Sequence, residues 1–139
     1  MKTVEEQLAR YRSVHFNKKN IVKGFTTNPS LMRKAGAKDY LKYSKEILKK
    51  TSKPISFEVF ADDIENMIDQ GKKISTWGKN VYVKIPITNS KGVFMGKIIK
   101  ELNSMNIKLN ITAVYNSNQT KKILKLLKLS KISFIFAYF

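Results

Sequence analysis

The sequence predicts an α/β protein built from successive βα units around a parallel sheet. Three observations predict it. Short strand-like apolar runs alternate with segments whose apolar residues recur at helical spacing. A new strand opens about every 25–30 residues, the rhythm of repeated βα units. Caps and turn residues such as Asn28-Pro29, Gly36, Asp62 and Gly78 punctuate the alternation. The 139 residues are enough for one domain with a real core, and residues 1–139 are taken as one.

Val4 to Arg12 reads as a helix, with Glu5 and Glu6 suiting its first turn and Arg10 and Arg12 its end. Phe16 to Asn20 reads as a loop and Ile21 to Thr27 as a short strand. Asn28 is a good N-cap and Pro29 a good first helical residue for a short helix reaching about Ala35, ended by Gly36. Asp39 to Lys50 is the next helix, and Pro54 to Phe60 the next strand. Asp62 is expected to cap a helix, with Glu65 completing a capping box and Ile64, Met67, Ile68 and Ile74 facing the core. Val81 to Thr88 is a strand, followed by a polar turn to Gly92. Phe94, Ile98, Ile99, Leu102 and Met105 form a helical stripe. Ile107 to Val114 is a strand, Asn116 or Ser117 caps a last helix, and Ile132 to Phe139 is a final apolar strand. An open doubly wound sheet and a (β/α)8 barrel both fit this order.

Composition narrows the function. Hydrophobic residues make up 42% and charged residues 27%, which suits a globular chain. With no cysteine and His15 as the single histidine, thiolate and multi-histidine metal centres are excluded, and His15 reads as a surface residue. No apolar run approaches transmembrane length, and the N-terminus lacks the apolar core of a signal peptide, so the expected compartment is the cytoplasm. The formal charge of +17 invites a nucleic-acid reading. Against it, the basic residues are mostly lysines spread along the chain, without zinc-finger spacing, an RNP-type motif or an evident helix-turn-helix. Anionic substrates such as sugar phosphates suit a basic protein equally well.

The strands share a second pattern. In the strand from Val81, Val83, Ile85 and Ile87 continue one face, while Tyr82, Lys84 and Pro86 take the other. Alone, Lys84 also suits an exposed edge strand, where a lysine blocks edge-to-edge pairing. Other strands change that weighting. Ser56 and Glu58 oppose Ile55, Phe57 and Val59; Asn110 and Thr112 oppose Leu109, Ile111 and Ala113; Gly24, Thr26 and Asn28 oppose Phe25 and Thr27. Polar residues on the inner face near strand C-termini are where parallel barrels place chemistry. Burial disfavours the charged form of an amine, which makes a lysine there a candidate nucleophile for carbonyl substrates. A carboxylate and a bound water would move protons, and amides and hydroxyls would hold substrate hydroxyls. A glycine-rich phosphate loop after the first strand is absent, which lowers a nucleotide-binding reading.

Gly24-Phe25-Thr26-Thr27-Asn28-Pro29-Ser30-Leu31, Ile55-Ser56-Phe57-Glu58-Val59, Val81-Tyr82-Val83-Lys84-Ile85-Pro86 and Leu109-Asn110-Ile111-Thr112-Ala113 together resemble the strand motifs of the transaldolase family, including its short fructose-6-phosphate-aldolase-like members. The resemblance covers about residues 21 to 115. It implies a (β/α)8 barrel of TIM type and a class I mechanism without a cofactor or metal. Lys84 would form the Schiff base with a ketose phosphate, Glu58 would shuttle protons, and Thr112 would orient the catalytic water. Asn28 and Asn110, with Thr27, would bind the dihydroxyacetone portion. The aldolase branch has an amide at the position of Glu58, so the carboxylate favours transferase over free aldolase activity. The implied setting is the pentose phosphate pathway and carbohydrate metabolism, with sugar phosphates as partners and a homo-oligomer left open.

Two departures qualify that pattern. The family opens with an aspartate-bearing strand, whereas Met1-Lys2-Thr3 leads almost directly into a helix. Its sixth strand continues from Phe-Ala into Gly-Arg, whereas Phe136-Ala137 is followed by Tyr138-Phe139. The expectation is an incomplete barrel with about strands two to six, truncated at both ends and impaired in activity. The alternative functions are a non-catalytic half-barrel that associates with another chain and, disfavoured by the absence of motifs, a basic nucleic-acid-binding module.

Overall fold

A computed structural model describes residues 18, 20–34, 36–127 and 134–137, with 134–137 as backbone. The helix expected over Val4–Arg12, His15 and both flanks of the final strand lie outside the described residues. The chain divides into two compact units, Met1–Ile55 and Ser56–Phe139.

The first unit holds strand β1 (Phe25–Thr26), helix α1 (Pro29–Lys34) and helix α2 (Tyr40–Leu48). Phe25 N donates to Pro54 O at 2.8 Å. A side chain at Gly24 would place its Cβ 2.8 Å from that same carbonyl oxygen, so this approach requires glycine. Asn28 caps α1 as the sequence predicts: its Oδ1 accepts from Ser30 N at 2.8 Å, and its carbonyl accepts from Met32 N at 2.9 Å. Pro29, which has no N–H to satisfy, occupies the first helical position. Gly36, at φ +85°, ends α1, and Ala37 N closes on Met32 O at 3.0 Å. Asp39 caps α2, accepting from Lys42 N at 2.9 Å.

Strand β2 (Ile55–Glu58) leads into the second unit, followed by α3 (Ile64–Ser75), β3 (Val81–Pro86), α4 (Gly96–Ser104), β4 (Leu109–Val114), α5 (Ser117–Leu124) and β5 (Phe134–Ala137). The strand order there is β2-β3-β4-β5, with β3–β4 and β4–β5 parallel. Sequential order among parallel strands joined by helices is the pattern of a (β/α) barrel rather than of a doubly wound sheet, whose order reverses at a switch point. Val83, Ile85, Ile87, Met95, Ile98, Ile99, Leu102, Leu109, Ile111 and Ile123 are all fully buried. Helix α3 approaches this core closely. A Cβ on Gly71 would lie 2.6 Å from Leu102 Cδ1 and 3.5 Å from Val83 Cγ1. Trp77, just beyond α3, packs edge-on against Phe57 at 5.5 Å between ring centroids.

Three local expectations are corrected. Asp63, not Asp62, caps α3, accepting from Asn66 N at 3.0 Å. Two adjacent aspartates offer the same cap, and Asp63 is the one in extended conformation three residues before that N–H. Phe94 is not in a helix: it forms an isolated antiparallel bridge with Thr88, and α4 starts at Gly96. Met105 lies just past the end of α4 and is 46% exposed.

Strand β4 contains an irregularity. Ile111 pairs with Ile135, but Val114 pairs with Ala137, so β4 spends one more residue than β5 over the same span. Ala113 sits there at φ +60°, the backbone signature of a β-bulge. Plain period-two alternation would place Val114 with Asn110 and Thr112, and the extra residue interrupts that alternation.

Candidate active site

The helix-facing side of β3 is set by Val83 and Ile85, both fully buried. Alternation therefore turns Lys84 to the other side. Two backbone registrations align its neighbours. Val59 N donates to Lys84 O at 3.0 Å, and Lys84 stands opposite Asn110 in the β3–β4 pairing. Each strand thus delivers a polar residue at the same level.

Lys84 Nζ lies 3.1 Å from Glu58 Oε2, with the two side chains only 12% and 16% exposed. Asn110, fully buried, donates from Nδ2 to Ser56 Oγ at 2.8 Å. This second contact carries geometric information. Ser56 is on β2 and Asn110 on β4, with β3 between them. In a flat sheet, strands two apart are about 10 Å distant, too far for a serine and an asparagine to meet so closely. The inner face of the second unit is therefore concave, as a barrel segment requires. Thr112 follows Asn110 by two residues on β4, opposite Pro86 in register, and is half-buried.

The structure thus brings together Lys84, Glu58 and Asn110, with Thr112 next along β4. Thr27 and Asn28 belong to the first unit, both half-buried at the start of α1, where the Asn28 side chain caps the helix. Ser56 is the residue that sequence reasoning placed on the correct face without giving it a role. Its signal was its position two residues before Glu58. Among the described residues, no three His, Cys, Asp or Glu side chains are grouped to hold a metal ion, and no helix is long and apolar enough to cross a membrane.

The loops beyond β2 and β3 are tied to each other. The Asp62 carboxylate accepts from Ser90 Oγ at 2.6 Å and Ser90 N at 2.8 Å, while Asn89 Nδ2 donates to Asp62 O at 3.1 Å. The Ser90 hydroxyl, and then its N–H, hold the Asp62 carboxyl below its ordinary value of 3.8. Glutamines fasten the strand exits: Gln70 Oε1 accepts from Phe60 N and Ala61 N, and Gln119 Oε1 from Tyr115 N.

A nearly buried amine against a carboxylate, with an amide opposite and a hydroxyl beyond, suits nucleophilic attack on a carbonyl with proton transfer at hand. Comparison with known proteins points the same way. The family described as transaldolase/fructose-6-phosphate aldolase matches residues 4–138. A probable transaldolase of Oceanobacillus iheyensis is 39% identical over 103 residues, covering 74% of this chain and 46% of the relative. A probable transaldolase of Methanococcus maripaludis is 39% identical over 104 residues, 75% of this chain and 46% of the relative. One of a Thermoanaerobacter species is 38% identical over 103 residues, 74% of this chain and 45% of the relative. The matched part of the chain spans about half the length of these curated relatives.

Proposed function

The chain belongs to the transaldolase/fructose-6-phosphate aldolase family, and from that membership we propose that it transfers a dihydroxyacetone unit between sugar phosphates through a Schiff base on Lys84. The observation that carries the reading is the 3.1 Å pairing of Lys84 Nζ with Glu58 Oε2 on a nearly buried inner face, with Asn110 opposite Lys84 in register.

The Lys84 amine, once unprotonated, attacks the ketone carbon of a ketose phosphate. Water leaves the carbinolamine as hydroxide takes up a proton, giving the iminium. Glu58, in contact with the amine, is placed to accept and return these protons directly or through a water held by Thr112. Proton loss from the C4 hydroxyl then cleaves the C3–C4 bond. An aldose phosphate departs, and the electron pair is held as an enamine of dihydroxyacetone on Lys84. Addition of that enamine to an acceptor aldose phosphate, followed by hydrolysis, completes the transfer. Asn110 binds hydroxyls of the dihydroxyacetone portion. The carboxylate of Glu58 supports transfer over release of free dihydroxyacetone. The reaction places the protein in carbohydrate metabolism.

Borohydride reduction in the presence of fructose 6-phosphate, followed by peptide mass mapping, tests the reading. The expected product is a reduced ketose adduct on Lys84 that is absent from Lys84→Ala. No adduct, or an adduct that persists in Lys84→Ala, would overturn it.

A further inference from the structure

Ser56 has no part in the chemistry just described, yet its side chain is hydrogen-bonded to that of Asn110. It is 5% exposed, and its Oγ accepts from Asn110 Nδ2 at 2.8 Å. The other end of the amide is in a different situation: Asn110 Oδ1 is buried and has no hydrogen-bond partner among the described residues. A buried acceptor left without a donor is costly, and native structures rarely retain one without a use for it. An asparagine amide also has two orientations of nearly identical shape, one presenting an acceptor and the other a donor at a given point. With Nδ2 engaged on Ser56, the atom left over is the acceptor, on the residue that faces Lys84 in the β3–β4 register.

We propose that Ser56 is a positioning residue. Through the hydrogen bond it accepts from Asn110 Nδ2 it anchors the Asn110 amide, leaving Oδ1 open to accept a hydrogen bond from a hydroxyl of the ketose carried on Lys84. The proposal rests on the Schiff-base reading for its ligand, but the hold of Ser56 on Asn110 is a property of the unliganded chain. Ser56 touches no reacting atom. Its effect reaches the substrate through Asn110.

The experiment uses the full chain with Ser56→Ala and Ser56→Thr, the latter restoring a hydroxyl on a residue suited to a strand. The first measurement is the Asn110 side-chain amide signal in a nitrogen–proton correlation spectrum, assigned through Asn110→Asp. Its protons are expected to lose protection from solvent exchange by about tenfold or more in Ser56→Ala and to regain it in Ser56→Thr. The second is the fructose 6-phosphate concentration giving half-maximal borohydride-trapped adduct on Lys84. It is expected to rise about tenfold in Ser56→Ala and to return to within about threefold of the wild type in Ser56→Thr. A merely structural serine would lower the melting temperature and leave that half-saturating concentration unchanged, which overturns the proposal. If the wild-type chain forms no adduct, the Schiff-base reading has failed, and the amide signal alone decides the hold: loss with rescue supports it, and an unaltered signal overturns it.

Discussion

Lys84 Nζ and Glu58 Oε2 stand 3.1 Å apart on adjacent strands, the two side chains almost removed from solvent. Taking two ions out of water is costly, and their mutual attraction offsets that cost only while both are present. The pair is thus a condition of the fold as well as a candidate pair for catalysis.

Removing one partner exposes that dependence. Glu58→Ala leaves an amine with its nearest opposite charge gone and is expected to destabilise the second unit by about 3 kcal/mol, at the low end for a buried pair because some solvent still reaches it. Lys84→Met combined with Glu58→Leu removes both charges and retains volume. The double variant is expected to be more stable than Glu58→Ala and within about 1–2 kcal/mol of the wild type. Urea midpoints of the three chains check this. A Glu58→Ala midpoint equal to that of the wild type would show that the pair is solvated and carries little energy.

The clasp between Asp62 and Ser90 gives a pH dependence with a definite sign. Hydrogen bonds donated by Ser90 lower the Asp62 carboxyl from its ordinary value of 3.8. A lowered folded-state value means that the ionised form is favoured by folding, so the stabilisation is fully present above about pH 4 and is lost as pH falls through the folded value. Thermal unfolding of wild type and Asp62→Ala between pH 7 and pH 2.5 checks it. The gap in melting temperature is expected to be constant at neutral pH and to narrow below about pH 4. A gap independent of pH would mean that the carboxylate is not favoured over the acid at this position.

Gly71 lies inside α3, where alanine would ordinarily stabilise a helix by about 1 kcal/mol. Here the new methyl would meet Leu102 Cδ1 at 2.6 Å, and Leu102 is itself fully buried. Overpacking a filled core costs about 1–3 kcal/mol, so the expected net effect of Gly71→Ala is a loss of about 1 kcal/mol. In a Leu102→Ala background the same substitution is expected to be stabilising, because the obstructing atom is gone. A double-mutant cycle by urea unfolding measures the sign change. Additive effects would contradict the close approach of α3 and α4.

Much of this was legible in the residues. Strands β2, β3 and β4 announce themselves by period-two apolar alternation, and a lysine or glutamate inside such a run is visible because little else there is charged. The ends of Asp39–Lys50 and the Asn28-Pro29 start were legible because caps act locally. What escaped reading depended on contacts distant in sequence or on backbone choices that side chains do not encode. Asp62 and Asp63 both look like caps, and the partner that claims Asp62 is 28 residues away. Phe94 has helical spacing to Ile98, but its bridge to Thr88 follows from the turn centred on Asn89, whose Oδ1 accepts from both Lys91 N and Val93 N. Ser56 and Asn110 are 54 residues apart, and their bond requires the sheet to curve, which no local pattern specifies.

The bulge in β4 is the clearest such case, and it yields the last prediction. Ala113 adopts φ +60° immediately after Thr112, in a region that non-glycine residues enter at a cost of about 1–3 kcal/mol. Nothing in an alanine announces this, so the sequence reads as an uninterrupted strand. If the bulge is built into the native fold, Ala113→Gly relieves the strain while giving up a half-buried methyl and some chain entropy, and is expected to be at least as stable as the wild type. Ala113→Val is expected to lose about 1–2 kcal/mol, since a β-branched side chain fits an extended strand well and a positive φ poorly. The two substitutions are opposite in effect to what an ordinary strand position would give, where valine stabilises and glycine destabilises. Urea midpoints distinguish the cases directly. A valine variant more stable than the glycine variant would mean that β4 runs without a bulge, and Thr112 would then have to be placed by plain alternation from Asn110.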